Sequence, residues 1–269
     1  MDSIQATVGI IGAGSMGSAI ARGLVASGAL ESHAISVCDP SAEKRAALEE
    51  LGIVAYEDAD KLAVAGTDAV ILAVKPQVLP EVVRGIAPAL KDRLVISIAA
   101  GVALSTLEAL MDGARVVRVM PNLPIQVLSG ASAIAPGARA LPEDTELTRK
   151  IFGALGTAWV MREDQLDAEG AVIGTGPAFF ALFVDTLTRA GIRAGLPAAA
   201  TREMCEATMR GVAQTLLDSK EHPRAYVEKV TSPGGTTAEA LLALEPLLID
   251  GSYAAVDAAL ERTRELAGK

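Results

Sequence analysis

The sequence predicts an α/β protein in which a doubly wound sheet domain, residues 1–162, is followed by an all-helical domain, residues 163–269. Short β-rich apolar runs alternate with helical patterns from residue 8 to about residue 161. The runs before residue 100 are almost continuously apolar, as expected of strands buried on both faces of a parallel sheet. After Arg162 only helical patterns remain.

Each element of the first domain is bounded by a change in hydrophobic pattern. The predicted strands are Val8–Ile11, Ala34–Cys38, Ala69–Val74, Leu94–Ile98, Val116–Met120, Ala131–Ala135 and Ala158–Met161. The helices predicted between them are Met16–Ser27, Ser41–Leu51, Val78–Ala89 and Leu104–Met111. This alternation is typical of βαβ units, whose strands are parallel and whose helices cover both faces of the sheet.

The second domain is predicted from helical runs, several of which begin at a proline. The predicted helices are Glu163–Gly174, Pro177–Ala194, Pro197–Ser219, Pro223–Val230, Thr237–Leu244 and Leu247–Leu266. Proline is tolerated in the first turn of a helix, where its missing N–H has no intrahelical partner. The apolar face of Pro177–Ala194 is wider than a monomeric bundle of this size needs, which predicts an oligomer interface.

Composition and charge exclude several classes of function. Hydrophobic residues make up 51% of the 269 residues and aromatic residues only 3%, so Ala, Val, Leu and Gly must form the core. The formal charge of −9 argues against a nucleic-acid-binding surface, which requires a clustered basic face. Two cysteines provide neither a disulfide framework nor a metal cluster, and no metal site is predicted. Without a signal sequence or an apolar stretch of about 20 residues, the chain is expected to be cytoplasmic and not to bind membranes.

A glycine-rich turn between the first strand and the first helix predicts a dinucleotide-binding, Rossmann-like domain. The turn consists of Gly12, Ala13, Gly14, Ser15, Met16 and Gly17. In such a turn the first glycine permits a tight bend and the second lets the backbone approach a pyrophosphate. The third permits close packing of helix on strand. The alternative is a glycine turn with a purely structural role, but the spacing of strand, turn, helix and second strand favours cofactor binding.

The end of the second strand leaves the cofactor open between NADH and NADPH. Asp39 lies where an acidic residue hydrogen-bonds the ribose 2′-hydroxyl of NAD and repels the 2′-phosphate of NADP. Ser41, Lys44 and Arg45 follow at the start of the next helix, where they are able to receive a phosphate. The alternative interpretation of Asp39 and Ser41 is a simple helix cap.

Residues that follow three further strands are predicted to line the cofactor, because open α/β sheets bind ligands at the carboxyl ends of their strands. They are Ala73, Val74, Lys75 and Pro76 at the end of one strand, Ala99, Ala100 and Gly101 after the next, and Asn122 after the third. Backbone contact is expected from the first group, with Lys75 solvated rather than catalytic. The small residues of the second group would admit the nicotinamide ring, and Asn122 either bonds its carboxamide or caps the turn.

A hydroxyl-rich turn near the C-terminus predicts a site for a small anion. It runs from Thr231 to Thr237 and reads Thr-Ser-Pro-Gly-Gly-Thr-Thr. Backbone N–H groups at a helix start, flanked by hydroxyls, bind a small carboxylate. Together with a nucleotide domain, this turn predicts a reductase that acts on a small acid. A second glycine–hydroxyl turn, Gly174–Phe179, opens an earlier helix, and for its Thr175 tight packing is favoured over a substrate contact.

Eight segments together resemble the Δ1-pyrroline-5-carboxylate reductase family over about residues 8–267. They are Gly12–Gly17, Ala73–Gln77, Ala99–Val102, Met120–Pro124, Gly174–Phe179, His222–Pro223, Val230–Thr237 and Arg262–Leu266. Many enzymes share the glycine turn, whereas the Thr-Ser-Pro-Gly-Gly-x-Thr core is highly specific to this family. The resemblance implies reduction of the cyclic imino acid L-1-pyrroline-5-carboxylate to L-proline by NAD(P)H, the last step of proline biosynthesis. It also implies homodimers formed through the helical domains, which in many relatives assemble into decamers.

The resemblance also implies which residues bind the substrate. The substrate carboxylate is expected on backbone N–H groups of Gly234, Gly235, Thr236 and Thr237, with Ser232 close by. The hydroxyl of Thr237 is expected near the ring nitrogen, where an orienting hydrogen bond is favoured over an essential proton donor.

Three further residues are compared with the family pattern. Glu163 lies where some relatives have a glutamate near the substrate. Phe179 stands where relatives usually carry Tyr, and Asp60 stands near a position where relatives often have an Asn that contacts the adenosine. An acidic residue at that place disfavours a 2′-phosphate nearby, so Asp60 and Asp39 both leave the NADPH preference open.

Two other classes of protein share part of this pattern. A β-hydroxyacid dehydrogenase or general imine reductase has the same domain plan and typically a catalytic Lys or Asp on the first long inter-domain helix. Here the segment 177–195 offers Asp185 and no Lys. A non-catalytic dinucleotide-binding protein would show an eroded substrate turn, whereas Thr231–Thr237 is intact. His222, before Pro223, is expected to cap a turn rather than to act in catalysis.

Overall fold

The computed structural model describes residues 4–64 and 66–266, which form two compact units. The first unit holds the described residues up to Thr175 together with those from Leu260 onward, and the second unit is Gly176–Ala259. The predicted division at residue 162 falls at the junction between the last strand and the helix that follows it. That helix packs on the sheet and therefore belongs to the first unit. That residue 162 separates a dinucleotide-binding domain from a substrate-binding and oligomerisation domain stays a prediction.

The described part of the first unit contains one eight-stranded sheet with the order β3-β2-β1-β4-β5-β6-β7-β8. Its strands are β1 Val8–Ile11, β2 Ile35–Cys38, β3 Val54–Tyr56, β4 Ala69–Leu72, β5 Leu94–Ser97, β6 Arg115–Pro121, β7 Gly130–Pro136 and β8 Gly156–Val160. β1 to β6 are parallel, β7 is antiparallel to β6, and β8 is parallel to β7. The chain order reverses beside β1, so the glycine turn after β1 lies at the switch point where such sheets bind nucleotides.

Helices cover both faces of this sheet, which confirms the doubly wound prediction. The helices of the first unit are α1 Ser15–Ala26, α2 Ala42–Glu49, α3 Ala59–Val64, α4 Leu79–Ile86, α5 Leu104–Leu110, α6 Pro142–Gly153 and α7 Glu163–Glu169. Residues of α1, α2 and α6 pack into one hydrophobic cluster and residues of α3, α4, α5 and α7 into another. All residues of β1, β2, β4 and β5 are buried, which explains their continuous apolar runs.

Three elements of this unit were not predicted. β3 is an edge strand of only three residues, Val54–Tyr56, in which Val54 is exposed, so its apolar run is too short to mark a strand. α3 is a short helix beside it. α6 is largely polar; its later residues Ile151 and Phe152 are fully buried in the core, and Leu147 is partly buried against it. Its start is fixed by the carboxylate of Asp144, which accepts a hydrogen bond from the N–H of Leu141 at 2.8 Å.

The second unit is helical throughout its regular structure. It comprises α8 Gly176–Arg193, α9 Ala198–Ser219, α10 Pro223–Lys229 and most of α11 Thr236–Leu266. The prediction of two helices on either side of Pro246 was wrong, because α11 continues through that proline. The missing N–H removes one backbone hydrogen bond, and long helical segments on both sides preserve the rest.

The second unit buries almost none of its side chains. Within Gly176–Ala259 only Gly176, Thr188 and Thr201 are buried, and no hydrophobic residue is. Large apolar side chains such as Phe180, Leu242 and Leu247 are 64–73% exposed. A soluble helix unit rarely leaves so much apolar surface open, so this surface is typical of an interface.

One helical run is longer and more apolar than the sequence analysis expected. Glu163–Arg193 is long and apolar enough to cross a membrane by length and composition, and little of it is buried. The statement that no stretch approaches the length of a membrane span was therefore wrong. A single helix of this kind is weak evidence for a membrane span, because helices that pack against other protein surfaces pass the same test.

Candidate cofactor and substrate sites

The three glycines of the first turn have three different structural reasons to be glycine. Gly12 has φ +103°, and a Cβ there would lie 2.7 Å from the carbonyl oxygen of Ala73. A Cβ on Gly17 would lie 1.9 Å from the carbonyl oxygen of Gly12, so α1 could not pack on β1. A Cβ on Gly14 would meet nothing within 4 Å. The turn is thus closed toward the protein and open at Gly14, as the approach of a pyrophosphate to the backbone requires.

The start of α1 offers polar groups beside this opening. Gly14 is the N-cap residue, and Ser15 and Met16, the first helical residues, are exposed and half-buried. Helix N-termini bind phosphate through free N–H groups and the helix dipole. The geometry therefore fits a dinucleotide on Gly12–Gly17.

The carboxylate of Asp39 is buried and holds the turn in place. Its Oδ2 accepts a hydrogen bond from the N–H of Ala13 at 2.9 Å, and its Oδ1 accepts one from the N–H of Ser41 at 2.9 Å. The ammonium group of Lys44 lies 3.4 Å from Oδ2. The bond to Ser41 is an Asx turn just before α2, whose N-cap residue Ser41 has no side-chain cap hydrogen bond, so the expected helix cap is not formed. A contact of Asp39 with ribose stays a prediction.

Basic residues surround the same strand end. Arg45 donates from Nη1 to the carbonyl oxygens of Asp39 at 2.7 Å and Pro40 at 3.0 Å. Lys44 is half-exposed and Asp60 exposed.

Burial, together with the neighbouring Asp39, raises the pKa of the Cys38 thiol to about 11, so this cysteine stays protonated and unreactive.

The loops after β4 and β5 lie at the carboxyl edge of the sheet, as predicted. Ala73 and Val74 are half-buried and Lys75 is exposed, in agreement with a solvated lysine. After β5, Ala99 is buried, whereas Ala100 and Gly101 are exposed and Gly101 has φ +74°. Small exposed residues at this edge leave room for a flat ring.

Asn122 uses both ends of its amide within the protein. Its Oδ1 accepts a hydrogen bond from the N–H of Ala131 at 2.8 Å, and its Nδ2 donates to the carbonyl oxygen of Ile173 at 3.2 Å. Asn122 does not cap the turn that begins at Leu123, so that predicted role was wrong. Its two bonds link β6, β7 and the helical turn that contains Ile173, and a contact with the nicotinamide carboxamide stays a prediction. One hydrogen of Nδ2 is left for a ligand.

Glu163, predicted to lie near the substrate, bonds to α5 and β6 within the sheet unit. Its Oε1 accepts a hydrogen bond from the N–H of Leu104, the first residue of α5, at 2.5 Å. The same oxygen lies 3.3 Å from Nη1 of Arg118 on β6. The assignment of Glu163 to the substrate stays a prediction, and these bonds point to a different role.

The hydroxyl-rich turn of the second unit ends in an open helix N-terminus. Gly234 has φ +67°, and a Cβ on Gly235 would lie 2.3 Å from Oγ of Ser232. α11 begins at Thr236, and the N–H of Gly235 donates to the carbonyl oxygen of Ser232 at 3.0 Å. Among the described residues, the N–H groups of Thr236, Thr237 and Ala238 donate to no acceptor, and the hydroxyls of Ser232, Thr236 and Thr237 have no protein partner. These free donors fit the anion site that the sequence predicts, and binding of an anion there stays a prediction.

The sequence analysis missed a buried carboxyl group at the end of α7. Glu169 is 8% exposed, and among the described residues its Oε2 has no hydrogen-bond partner. Burial raises the pKa of this carboxyl to about 7. A π-helical turn, Gly170–Gly174, follows it directly. The signal in the sequence is the spacing from Leu166, which puts Glu169 on the same buried face of the helix.

Two other predictions concern turn residues. Thr175 donates from its hydroxyl to the carbonyl oxygen of Ala171 at 2.6 Å, which favours the packing role. Nδ1 of His222 accepts a hydrogen bond from the N–H of Arg224 at 3.2 Å at the start of α10, so His222 is a cap as expected. Phe179 is exposed on α8.

Known proteins match the chain from end to end. A curated relative from Methanosarcina acetivorans, named pyrroline-5-carboxylate reductase, is 39% identical over 266 residues, covering 97% of this chain and 98% of the relative. The chain belongs to the pyrroline-5-carboxylate reductase family. The family description "Pyrroline-5-carboxylate reductase dimerisation" matches residues 163–266, and "NADP oxidoreductase coenzyme F420-dependent" matches residues 7–101.

Solved pyrroline-5-carboxylate reductases share the fold. The structure from Coxiella burnetii has a TM-score of 0.92 at 32% identity, covering 98% of this chain and 99% of that chain. The structure from Plasmodium falciparum, with NADP bound, has a TM-score of 0.87 at 27% identity, covering 99% of this chain and all of that chain (100%). The predicted fold class and the predicted oxidoreductase class are thereby confirmed.

Proposed function

We propose that this protein reduces L-1-pyrroline-5-carboxylate to L-proline with NADPH as the hydride donor. The observation that carries the proposal is the open start of α11, where three free N–H groups and two threonine hydroxyls follow Gly235 in a chain that matches the family over its full length. Such a group of donors fits a carboxylate on a small ring.

The residues of this chain bind and orient rather than supply a strong acid or base. Gly12 and Gly17 shape a turn that would hold the pyrophosphate at Gly14 and the start of α1, and the N–H groups of Thr236 and Thr237 would hold the substrate carboxylate. When bound, NADPH would supply the hydride that adds to the carbon of the protonated imine. The π electrons of the C=N bond then move to the ring nitrogen, which becomes an amine and takes a further proton from water. The hydroxyl of Thr237 hydrogen-bonds the ring nitrogen and fixes its orientation. Orientation of two reactants is worth about 7–11 kcal/mol of the barrier.

NADPH is favoured over NADH by the charges near the end of β2. The carboxylate of Asp39 is buried and already bonded to two N–H groups and Lys44, so its charge is largely compensated. Lys44 and Arg45 are the basic groups beside Ser41 that attract a 2′-phosphate. The match of residues 7–101 to an NADP oxidoreductase supports the same choice.

The second candidate, a β-hydroxyacid dehydrogenase or general imine reductase, is disfavoured by α8. In Gly176–Arg193 the only carboxylate is Asp185, which lies 2.8 Å from Nε of Arg189 on the exposed helix surface. A paired, exposed carboxylate is a poor general base.

The helical unit associates with a second copy of the chain. Its described residues bury no hydrophobic side chain, and the dimerisation family matches this region. The apolar run Glu163–Arg193 therefore packs against protein and not lipid, and assembly of dimers into a decamer belongs to the same proposal. So does the expectation of a cytoplasmic protein that binds no nucleic acid.

A steady-state assay of purified protein with pyrroline-5-carboxylate tests the proposal, with NADPH and NADH oxidation followed in parallel by absorbance and proline measured as product. Proline formation with a higher kcat/KM for NADPH is the expected result. A folded protein that binds both cofactors and yields no proline would move the assignment to another imine or keto acid. A higher kcat/KM for NADH would overturn the cofactor choice alone.

A further inference from the structure

A buried arginine joins β6 to α7 in the sheet unit. Arg118 on β6 is 5% exposed, and its guanidinium pairs with Glu163 at 3.3 Å and with Asp167 at 3.2 Å. Both carboxylates belong to α7. We name these three residues the Arg118 clamp.

Glu163 extends this clamp to a third element. The oxygen that faces Arg118 also accepts the N–H of Leu104 at 2.5 Å, so it caps the first turn of α5. An α-helix leaves its first N–H groups without intrahelical partners, and an acidic cap both satisfies one of them and stabilises the helix dipole. Asp167 makes no such bond, which separates the roles of the two carboxylates.

The segment just before Leu104 is the loop predicted to border the nicotinamide. Its first end is fixed where the N–H of Ile98 donates to the carbonyl oxygen of Leu72 at 3.1 Å. Its last end is fixed by Glu163 at Leu104. Between them Ala100 and Gly101 are exposed, and Gly101 adopts a positive φ of +74°. The position of this exposed loop therefore depends on both ends.

We propose that Glu163 is a positioning residue for the cofactor: held by Arg118, it fixes the end of the 99–103 loop and so sets the site for the nicotinamide. The inference rests on the proposed use of NADPH. It differs from the expectation that Glu163 contacts the substrate, since its carboxylate acts through Leu104. Buried Arg118 keeps that carboxylate in one place, because removing either partner would leave a buried charge less well paired.

The experiment compares Glu163→Ala with Asp164→Ala in the full chain. Both changes remove one acidic residue from the first turn of α7, but Asp164 is exposed and pairs only with exposed Arg162. The dissociation constant of NADPH is measured by its fluorescence without substrate. Loss of a charge-assisted hydrogen bond at the loop is expected to raise it about tenfold in Glu163→Ala. Asp164→Ala is expected to leave it within about twofold of the wild-type value.

Two further variants separate positioning from other roles. Glu163→Gln keeps an oxygen for the N–H of Leu104 and is expected to recover most of the NADPH affinity. Asp167→Asn loosens Arg118 without touching α5 and is expected to have a smaller effect on affinity than Glu163→Ala. Melting temperatures of all variants are measured, and affinities are compared well below them.

Three results would overturn the inference. One is an unchanged NADPH dissociation constant in Glu163→Ala with a raised KM for pyrroline-5-carboxylate, which would make Glu163 a substrate ligand. Another is a lowered melting temperature with unchanged affinity and kinetics, which would make the clamp purely structural. The third is an equal loss of affinity in Asp164→Ala. Because the readout is cofactor binding, a wild-type protein that binds NADPH but forms no proline would contradict the proposed function and leave this test intact.

Discussion

The two compact units of this protein differ in where their hydrophobic surface goes. The sheet unit buries side chains on both faces of its inner strands, with Ile10, Ile20, Leu72 and Phe152 almost fully enclosed. The helical unit buries no hydrophobic residue among its described positions. Burial of apolar surface is the main favourable term in folding. The sheet unit therefore has a hydrophobic core of its own, whereas we expect the helical unit to gain its stability by association.

The largest expected effect is loss of association when a charge enters the apolar surface of the helical unit. Phe180→Asp places a carboxylate where 64% of the phenyl ring is exposed in the single chain. Burying that unpaired charge in an interface costs several kcal/mol, about 5 or more, so sedimentation should show monomers. Leu51→Asp, on the sheet unit and 39% exposed, is the control and should sediment as the wild type does. Unchanged association of Phe180→Asp would remove the contrast between the units.

A cavity in the sheet unit is expected to have the next largest effect. Phe152→Ala removes a fully buried ring and should lower the free energy of unfolding by about 3–5 kcal/mol. Urea unfolding of this unit should give the same loss at low and high protein concentration. For Leu247→Ala in the helical unit, the loss should instead vary with concentration, because association supplies the stability there. Equal behaviour of both variants would contradict the comparison.

The buried carboxyl of Glu169 makes the stability of the sheet unit depend on pH. Its pKa of about 7 lies above the ordinary value of 4.5, so the folded state holds the proton longer than the unfolded state. Stability from this group is complete below about pH 4.5 and is lost as pH rises through 7, by up to about 3 kcal/mol. Arg118 on β6 is already paired with Glu163 and Asp167.

Glu169→Gln mimics the protonated form and should remove this loss. Urea unfolding at pH 5 and pH 8 is expected to show a smaller difference in the variant than in the wild type. Glu81→Gln, a change of an exposed glutamate, serves as the matched control. If the variant and the wild type respond to pH alike, Glu169 is not a buried proton site.

The smallest expected change in free energy is at the start of α11, where the predicted substrate contact does not depend on a hydrophobic core. Thr237→Ala removes an orienting hydrogen bond and should lower kcat about tenfold, or about 1.4 kcal/mol. Sedimentation and melting temperature should stay as in the wild type. Thr215→Ala removes another hydroxyl from the helical unit, on α9, and is the control for kinetics. Unchanged kcat in Thr237→Ala would refute the role of its hydroxyl.

The fold was predictable where pattern and burial agree. Val8–Ile11 and Leu94–Ser97 are apolar at every position but the buried glycine or serine, and the glycines of the first turn are required by contacts 1.9 Å and 2.7 Å away. β3 and α6 escaped because a short edge strand and a polar helix bury too little to leave a periodic pattern. Pro246 was misleading, since a proline weakens a helix locally without ending one that is stabilised on both sides.

The site was predictable in its backbone and less so in its charges. The turn Thr231–Thr237 ends in free N–H groups as the sequence indicates. Glycine and hydroxyl residues before a helix determine the local backbone conformation, so the sequence alone predicts it. The partners of Asp39, Glu163 and Glu169 are set by tertiary packing. Glu163 accepts a hydrogen bond from the N–H of Leu104, which is far away in the sequence. The spacing of residues along the chain does not predict such a bond.

The exposed apolar surface of the helical unit also constrains how this protein can change. In an interface between identical chains, each residue is present twice about a symmetry axis. A substituted side chain near that axis contacts its own symmetry copy, so it must pack well against that copy as well as against its neighbours. Two compensating substitutions cannot be placed on opposite sides of this interface, because every substitution appears in both chains. In a complex of two different proteins they can be. Residues such as Leu242 and Leu247 are therefore expected to vary more slowly among relatives than equally exposed positions on the sheet unit.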